Sequence, residues 1–388
     1  MTTLTKELLA SWANDPAAPV ALHLRQKLTS VECIDKDDPC IIYPPTYADI
    51  GYNIDALSDG KRVALVDSVG SQANRMEPIF KSTSEKPEDW LVPQIQIALG
   101  NDTKEAKATR LSLLDLAHRG ADAVVQSSGQ LAKDIRAAFA KLRETGDAVP
   151  LCALAPTSLV FGVWDSRGSS SEKRPRLVRS VIRAWDVEVL HAAAQFNSVW
   201  KELDEKQRKE LQDEAKKQKK KLSVKGFADA PAIFRDTKAS QYVGGSPNPE
   251  ARVLGGVLVK GSIERTATIN LVALRGLHGG SPEDSKALRN YLLSLALIAA
   301  TAEMDLFLRE GCHLRYTGND KWFEVPRRGE TTEVDLCSVK AVKVFNDSAT
   351  EEAKHFRTKW PAEMNYTFDI AEAKKLLAAK EADVPVTE

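Results

Sequence analysis

Residues 157–188 read TSLVFGVWDSRGSSSEKRPRLVRSVIRAWDVE. The stretch opens on an apolar run of Leu159, Val160, Phe161, Val163 and Trp164, then breaks at Asp165-Ser166-Arg167-Gly168 into a serine-rich loop. It resumes with Lys173, Arg174, Arg176, Arg179 and Arg183 threaded through Leu177, Val178, Val181, Ile182 and Trp185. A buried element is therefore expected to deliver a positively charged loop to a surface, the pattern of a chain that holds phosphates. The second half is ambiguous between strand and helix. Its β-branched residues suit a strand, in which Arg179 and Arg183 share a face with Val181 and Trp185. Its spacing also allows a helix, with Arg176, Arg179 and Arg183 on one side. Both readings point Arg179 and Arg183 the same way.

A second donor-rich segment lies upstream. Residues 62–66 (RVALV) read as a buried strand, and SVGSQANRMEPIF after them reads as a helix capped by Asp67 or Ser68. Val69, Ala73, Met76 and Phe80 form one apolar face. Ser68, Gln72 and Arg75 fall on a neighbouring face, with Ser71 and Asn74 beside them. A helix start so furnished can offer free backbone N–H groups and side-chain donors to a phosphate; the same pattern also describes an amphipathic helix whose polar side meets water. Pro78 limits the helix to about three turns.

The chain has 388 residues and is 43% hydrophobic, enough for one large or two ordinary domains with a sizeable core. No apolar run is long enough to span a bilayer and the N-terminal residues lack a secretory pattern, so a cytoplasmic protein with no membrane association is expected. The five cysteines form no CxxC pair and read as reduced thiols. Lys and Arg balance Asp and Glu at 54 each, which argues against a free-standing nucleic-acid binder. The charges cluster, however, and a local basic surface with acidic regions elsewhere suits a subunit that meets a polyanion on one face and protein on others.

Further along, residues 5–12 read as a short helix, 30–34 and 40–43 as strand-like pieces, and 102–146 as helix-rich with a stop at Gly146. Residues 200–225 form a charge-dense helix within an insertion spanning 198–250, and 252–274 carry strand pairs with a bend at the glycines. Ser281-Pro282-Glu283-Asp284 opens a long core helix. Residues 312–316 and 322–325 flank TGNDK as a hairpin, 339–345 read as a strand, and 370–382 as a helix. Interspersed strands and helices with a β-rich centre make the class α+β, read as one fold over 1–388.

No phosphate-binding glycine loop, no nucleophile elbow and no zinc spacing occurs. Asp165 could serve as a general base or simply as a turn residue. His118, with Asp115 and Asp122 nearby in sequence, could ligate a metal but reads more plainly as part of a solvated helix face.

VALVDSVGSQANRME, LAPTSLVFGVWDSRG…KRPRLVRSVIRAWDVE and GGVLVKGSIERTATINLVALRGL together resemble the backbone RAMP subunit (Csb-type, Cas-seven family) of type I-G, formerly I-U, CRISPR–Cas Cascade complexes. The resemblance runs from about residue 30 to about 311. It implies an RRM-like (ferredoxin-like) palm with helical insertions and a β-hairpin thumb, for which 168–175 and 244–265 are both candidates. It implies a subunit that is not an enzyme and needs no cofactor. Several copies would line the spacer of a CRISPR RNA, grip its backbone, and present its bases to target DNA, beside a large subunit and a fused Cas-five/Cas-six-type subunit. By motif, Ser68, Ser71, Gln72, Asn74 and Arg75 would hold RNA backbone. Arg167, Lys173, Arg174, Arg176 and Arg179 would line the same track, with Arg183 and Lys260 beyond. Two alternatives are a ribonuclease using Asp165 and an assembly protein whose basic loops meet acidic neighbours.

Overall fold

The computed structural model describes residues 2–35, 37–47, 50–100, 108–165, 172–191, 204–217, 242–243, 246–247, 254–318 and 320–382. The fold is α+β. Strands β1 (Ala21–Ser30), β2 (Arg62–Asp67), β3 (Val178–Trp185) and β4 (Ile263–Asn270) make the centre of the main sheet, and β5 (Lys321–Val325) and β6 (Thr332–Asp335) extend one edge. Their order is β6-β5-β1-β4-β3-β2, with every neighbour antiparallel. Thus β1 and β3 point the same way with β4 between them, and β4 and β5 do so with β1 between them.

Alternation along these strands decides what each face does. Leu22, Leu24 and Gln26 of β1, Ser180 and Ile182 of β3, and Arg265, Ala267 and Ile269 of β4 are buried. That face is covered by α1 (Lys6–Asn14), α2 (Val69–Met76), α3 (Gly129–Thr145), α4 (Pro282–Thr301) and α5 (Val339–Arg357), whose Leu9, Ala73, Leu131, Leu288 and Phe345 share one apolar core with Leu22, Leu24 and Ile269. On the opposite face Arg25, Lys27 and Arg179 are exposed.

A smaller core lies where β3 and β4 leave the main sheet. After Asp186, whose φ is 54°, the chain continues as Val187–His191 and pairs with Leu254–Val259, which in turn pairs with Cys40–Ile42. Gly261 makes the matching bend on the other strand. A Cβ there would lie 2.6 Å from the Trp185 carbonyl oxygen, so a side chain would force the backbones apart. The bent ribbon leads to the charged insertion, of which helix Glu205–Lys217 and the strands Tyr242–Val243 and Ser246–Pro247 are described.

Several expected elements change. The strand read at 30–34 is instead β1, ending at Ser30. The apolar run at 151–164 forms two short helices, Val149–Leu154 and Pro156–Val160, before strand Val163–Asp165. Residues 102–121 are not helical throughout: Thr109–Ser112 is a strand, followed by 3-10 turns. Cys312–Tyr316 and Lys321–Val325 do not pair as a hairpin. Both lie end to end along β1, Leu314 opposite Ser30 and Trp322 opposite Leu24, because one long central strand offers more partners than a two-strand turn. Residues 339–345 are helical, since Ala341, Phe345, Ala349 and Ala353 carry an apolar stripe through α5 that outweighs the local valines.

Candidate nucleic-acid interface

Helix α2 begins where β2 ends. The Ser68 hydroxyl accepts the Ser71 N–H at 3.2 Å and its carbonyl accepts the Gln72 N–H at 2.8 Å. The N–H groups of Val69 and Gly70 have no partner among the described residues and head the helix with its positive dipole end.

A cleft of about 360 Å³ opens at this helix end. Gly70 and Asn74 line one side, and Trp164, Lys173 and Arg174 line another. The last three stand on a short hairpin, Val163–Asp165 paired with Glu172–Arg174. Arg176 lines this cleft and also an adjoining cavity of about 530 Å³ that reaches Val69, Arg179 and Thr268. The two segments singled out in the sequence, far apart along the chain, therefore border one basic depression. Arg176 and Arg179 are exposed, and neither has an acidic partner among the described residues.

Buried groups shape the cleft. Arg119 is 3% exposed, its Nε lies 2.7 Å from Glu77 Oε2, and its Nη2 donates to Asn74 Oδ1 at 3.2 Å. Its guanidinium also lies over the Phe161 ring at 5.2 Å. Burial pushes the Glu77 carboxyl up to about 7 despite the opposing pull of Arg119. Arg119 has a left-handed φ of 53°, an uncommon conformation for an arginine and one that marks a constrained segment. Gly162 has φ 76°, and a Cβ on it would come within 2.7 Å of Arg176 Cγ and 3.0 Å of the Arg174 carbonyl. Only glycine lets the apolar segment pass under the arginines there.

The expected contact residues separate into groups. Asn74, Lys173, Arg174, Arg176 and Arg179 line the depression, and Ser68 caps the helix that borders it. Ser71 is half-buried in the first turn. Gln72 must be corrected: it is fully buried, donating to Asp67 Oδ2 at 2.7 Å and accepting from Ser180 Oγ at 2.8 Å. Arg75 likewise turns inward, its Nε bound to Asp67 Oδ2 at 3.1 Å and its Nη2 to the Leu308 carbonyl at 3.0 Å. Both face the sheet because a short helix laid on a strand end buries one whole side. Arg183 is half-buried on the open face of β3 opposite Glu264, and Lys260, paired with Glu188 at 2.6 Å, lies past the far end of β3. Neither lines the depression. Arg167 lies outside the described residues, and of the thumb candidates only parts are described.

Arg119 was not singled out in the sequence; a lone arginine before Gly120 carries no visible signal. Trp164, grouped there with the buried run, is 63% exposed. Around His118 no metal cluster forms: no group of three or more His, Cys, Asp or Glu side chains suited to a metal gathers among the described residues. No helix among the described residues is long and apolar enough to cross a membrane.

No curated protein matches the chain. Residues 24–189 match the family model described as CRISPR-associated protein GSU0053 (Cas_GSU0053), which supports a CRISPR-associated protein. The matched span includes α2, the hairpin bearing Trp164 and Lys173, and the arginines of the depression up to Arg179.

Proposed function

We propose that this chain is a non-catalytic backbone subunit of a type I-G Cascade complex. It binds guide RNA through the sugar–phosphate backbone, assembles with further copies of itself and with other subunits along the spacer, and presents bases to target DNA. The observation that carries this reading is the pair Arg176 and Arg179, exposed and, among the described residues, without acidic partners, beside the open N-terminus of α2. Cations and backbone amides hold phosphates without reading base edges, which leaves sequence choice to base pairing. The strand order also supports it. Read as β1, β3, β4, β5, the central strands form two interleaved β–α–β units, the plan of an RRM-like palm.

The test is binding of unrelated single-stranded RNAs to the purified full chain across a salt series. Similar affinities that fall linearly in log–log form with salt are expected. Salt-independent or strictly sequence-selective binding overturns the reading. A guide-loaded complex incubated with complementary RNA and Mg²⁺ should leave that RNA intact; cleavage lost on Asp165→Ala would establish the ribonuclease instead.

A further inference from the structure

We infer that Trp164 is a stacking platform for an unpaired nucleobase of single-stranded RNA whose phosphates lie among the arginines of the cleft. The inference rests on the RNA-binding reading and adds a base contact to it. Phe161 and Val163, just before Trp164, are 0% and 5% exposed, whereas Trp164 is 63% exposed on the cleft wall. Across the hairpin it pairs with Lys173, so both side chains stand on one face, with Cβ atoms roughly 5 Å apart. Arg174 and Arg176 border the same space.

This combination selects the ligand. A simple anion would be held by the cations and has no use for an indole face. An apolar ligand would be poorly placed among cations. A nucleotide has both parts, a π-face and a phosphate, joined at short range. An A-form duplex keeps its bases stacked inside, so the base must come from a single strand. The indole carries only one polar group, the Nε1–H donor. Its face accepts any base, which agrees with a grip that does not read sequence.

The experiment uses the full chain with oligoadenylate, oligouridylate and an abasic ribose-phosphate oligomer of the same length. Trp164→Ala should weaken oligoadenylate binding roughly 5- to 150-fold. It should weaken oligouridylate less, leave the abasic oligomer unchanged, and keep the salt slope. Tryptophan fluorescence should be quenched by oligoadenylate in the wild type, with the quench greatly reduced in Trp164→Phe, a variant expected to fold normally and to retain part of the affinity. Equal affinities for wild type and Trp164→Ala, or equal losses for abasic and base-bearing oligomers, overturn the inference while leaving RNA binding intact. If none of the oligomers binds the wild type, the RNA-binding reading itself fails.

Discussion

The Gln72 amide holds two charged groups that never meet: its Nε2 donates to Asp67 at 2.7 Å, and its Oε1 accepts from Arg265 Nε at 3.1 Å. Arg265 is completely buried, and its acceptors among the described residues are all neutral, including Gln26 Oε1 and the Ala300 carbonyl, each at 3.0 Å. Burial opposes its charged form. The network ties α2 to β1, β3, β4 and the end of α4, so the helix whose N-terminus borders the basic depression is located by polar bonds as well as by packing.

Replacing Gln72 with leucine should therefore cost about 2 kcal/mol, since it leaves the buried Arg265 Nε with only Ser180 Oγ, at 3.2 Å, and removes one of the two donors to Asp67 Oδ2, Arg75 remaining. Urea unfolding should show a lower midpoint with an unchanged slope. A loss below about 0.5 kcal/mol would mean that Arg265 and Asp67 find other partners readily.

Arg176→Ala and Arg179→Ala should each cost about 1.5–3 kcal/mol of RNA binding, by similar amounts for unrelated sequences. Each should flatten the salt slope by about 0.7, the value for one single-strand phosphate contact. Thermal stability should stay near the wild type, because neither side chain makes an ion pair among the described residues. Loss confined to one RNA sequence would point to base readout.

Gly162→Ala should damage the cleft indirectly. The left-handed conformation alone costs an alanine about 1–2 kcal/mol, and the new methyl group must displace Arg176. A lowered melting temperature together with weaker RNA binding is expected. Unaltered binding in a destabilised protein would show that Arg176 relaxes without consequence.

Asp284 joins α4 to α5, contacting Lys359 and, at 2.8 Å, His355. Hydrogen bonding from Lys359, then from His355, holds its carboxyl down at about 2. A depressed folded-state value means the stabilisation is complete above the unfolded value, about 3.9, and is lost as pH falls toward 2. Melting temperatures measured through that window should fall more steeply for the wild type than for Asp284→Asn. Parallel curves would assign the acid sensitivity to other carboxylates.

Much of the local structure was legible. A cap at Asp67 or Ser68, which the structure resolves to Ser68, Pro282 at the head of α4 and Gly146 after α3 follow from backbone chemistry that acts within a few residues. The shared direction of Arg179 and Arg183 held whichever secondary structure they adopted. The strand Ala21–Ser30 went unread in the sequence despite the alternation of Leu22, Leu24, Gln26 and Leu28, and its place at the centre of the sheet follows from partners more than 200 residues away, Leu28 opposite Ile263 and Leu24 opposite Ala267.

What sequence alone determined was which residues could serve: a cluster of cations, a helix start with a candidate cap, a basic loop on an apolar stem. Tertiary structure decided which of them do. It turned Gln72 and Arg75 inward, because burial of a helix face depends on what the helix rests upon. It set Arg183 and Lys260 away from the depression, because position along a strand becomes distance. It brought Trp164, Arg176 and Asn74 around one cleft over a buried Arg119, since packing the central sheet against its helices closes gaps in sequence that local pattern does not measure.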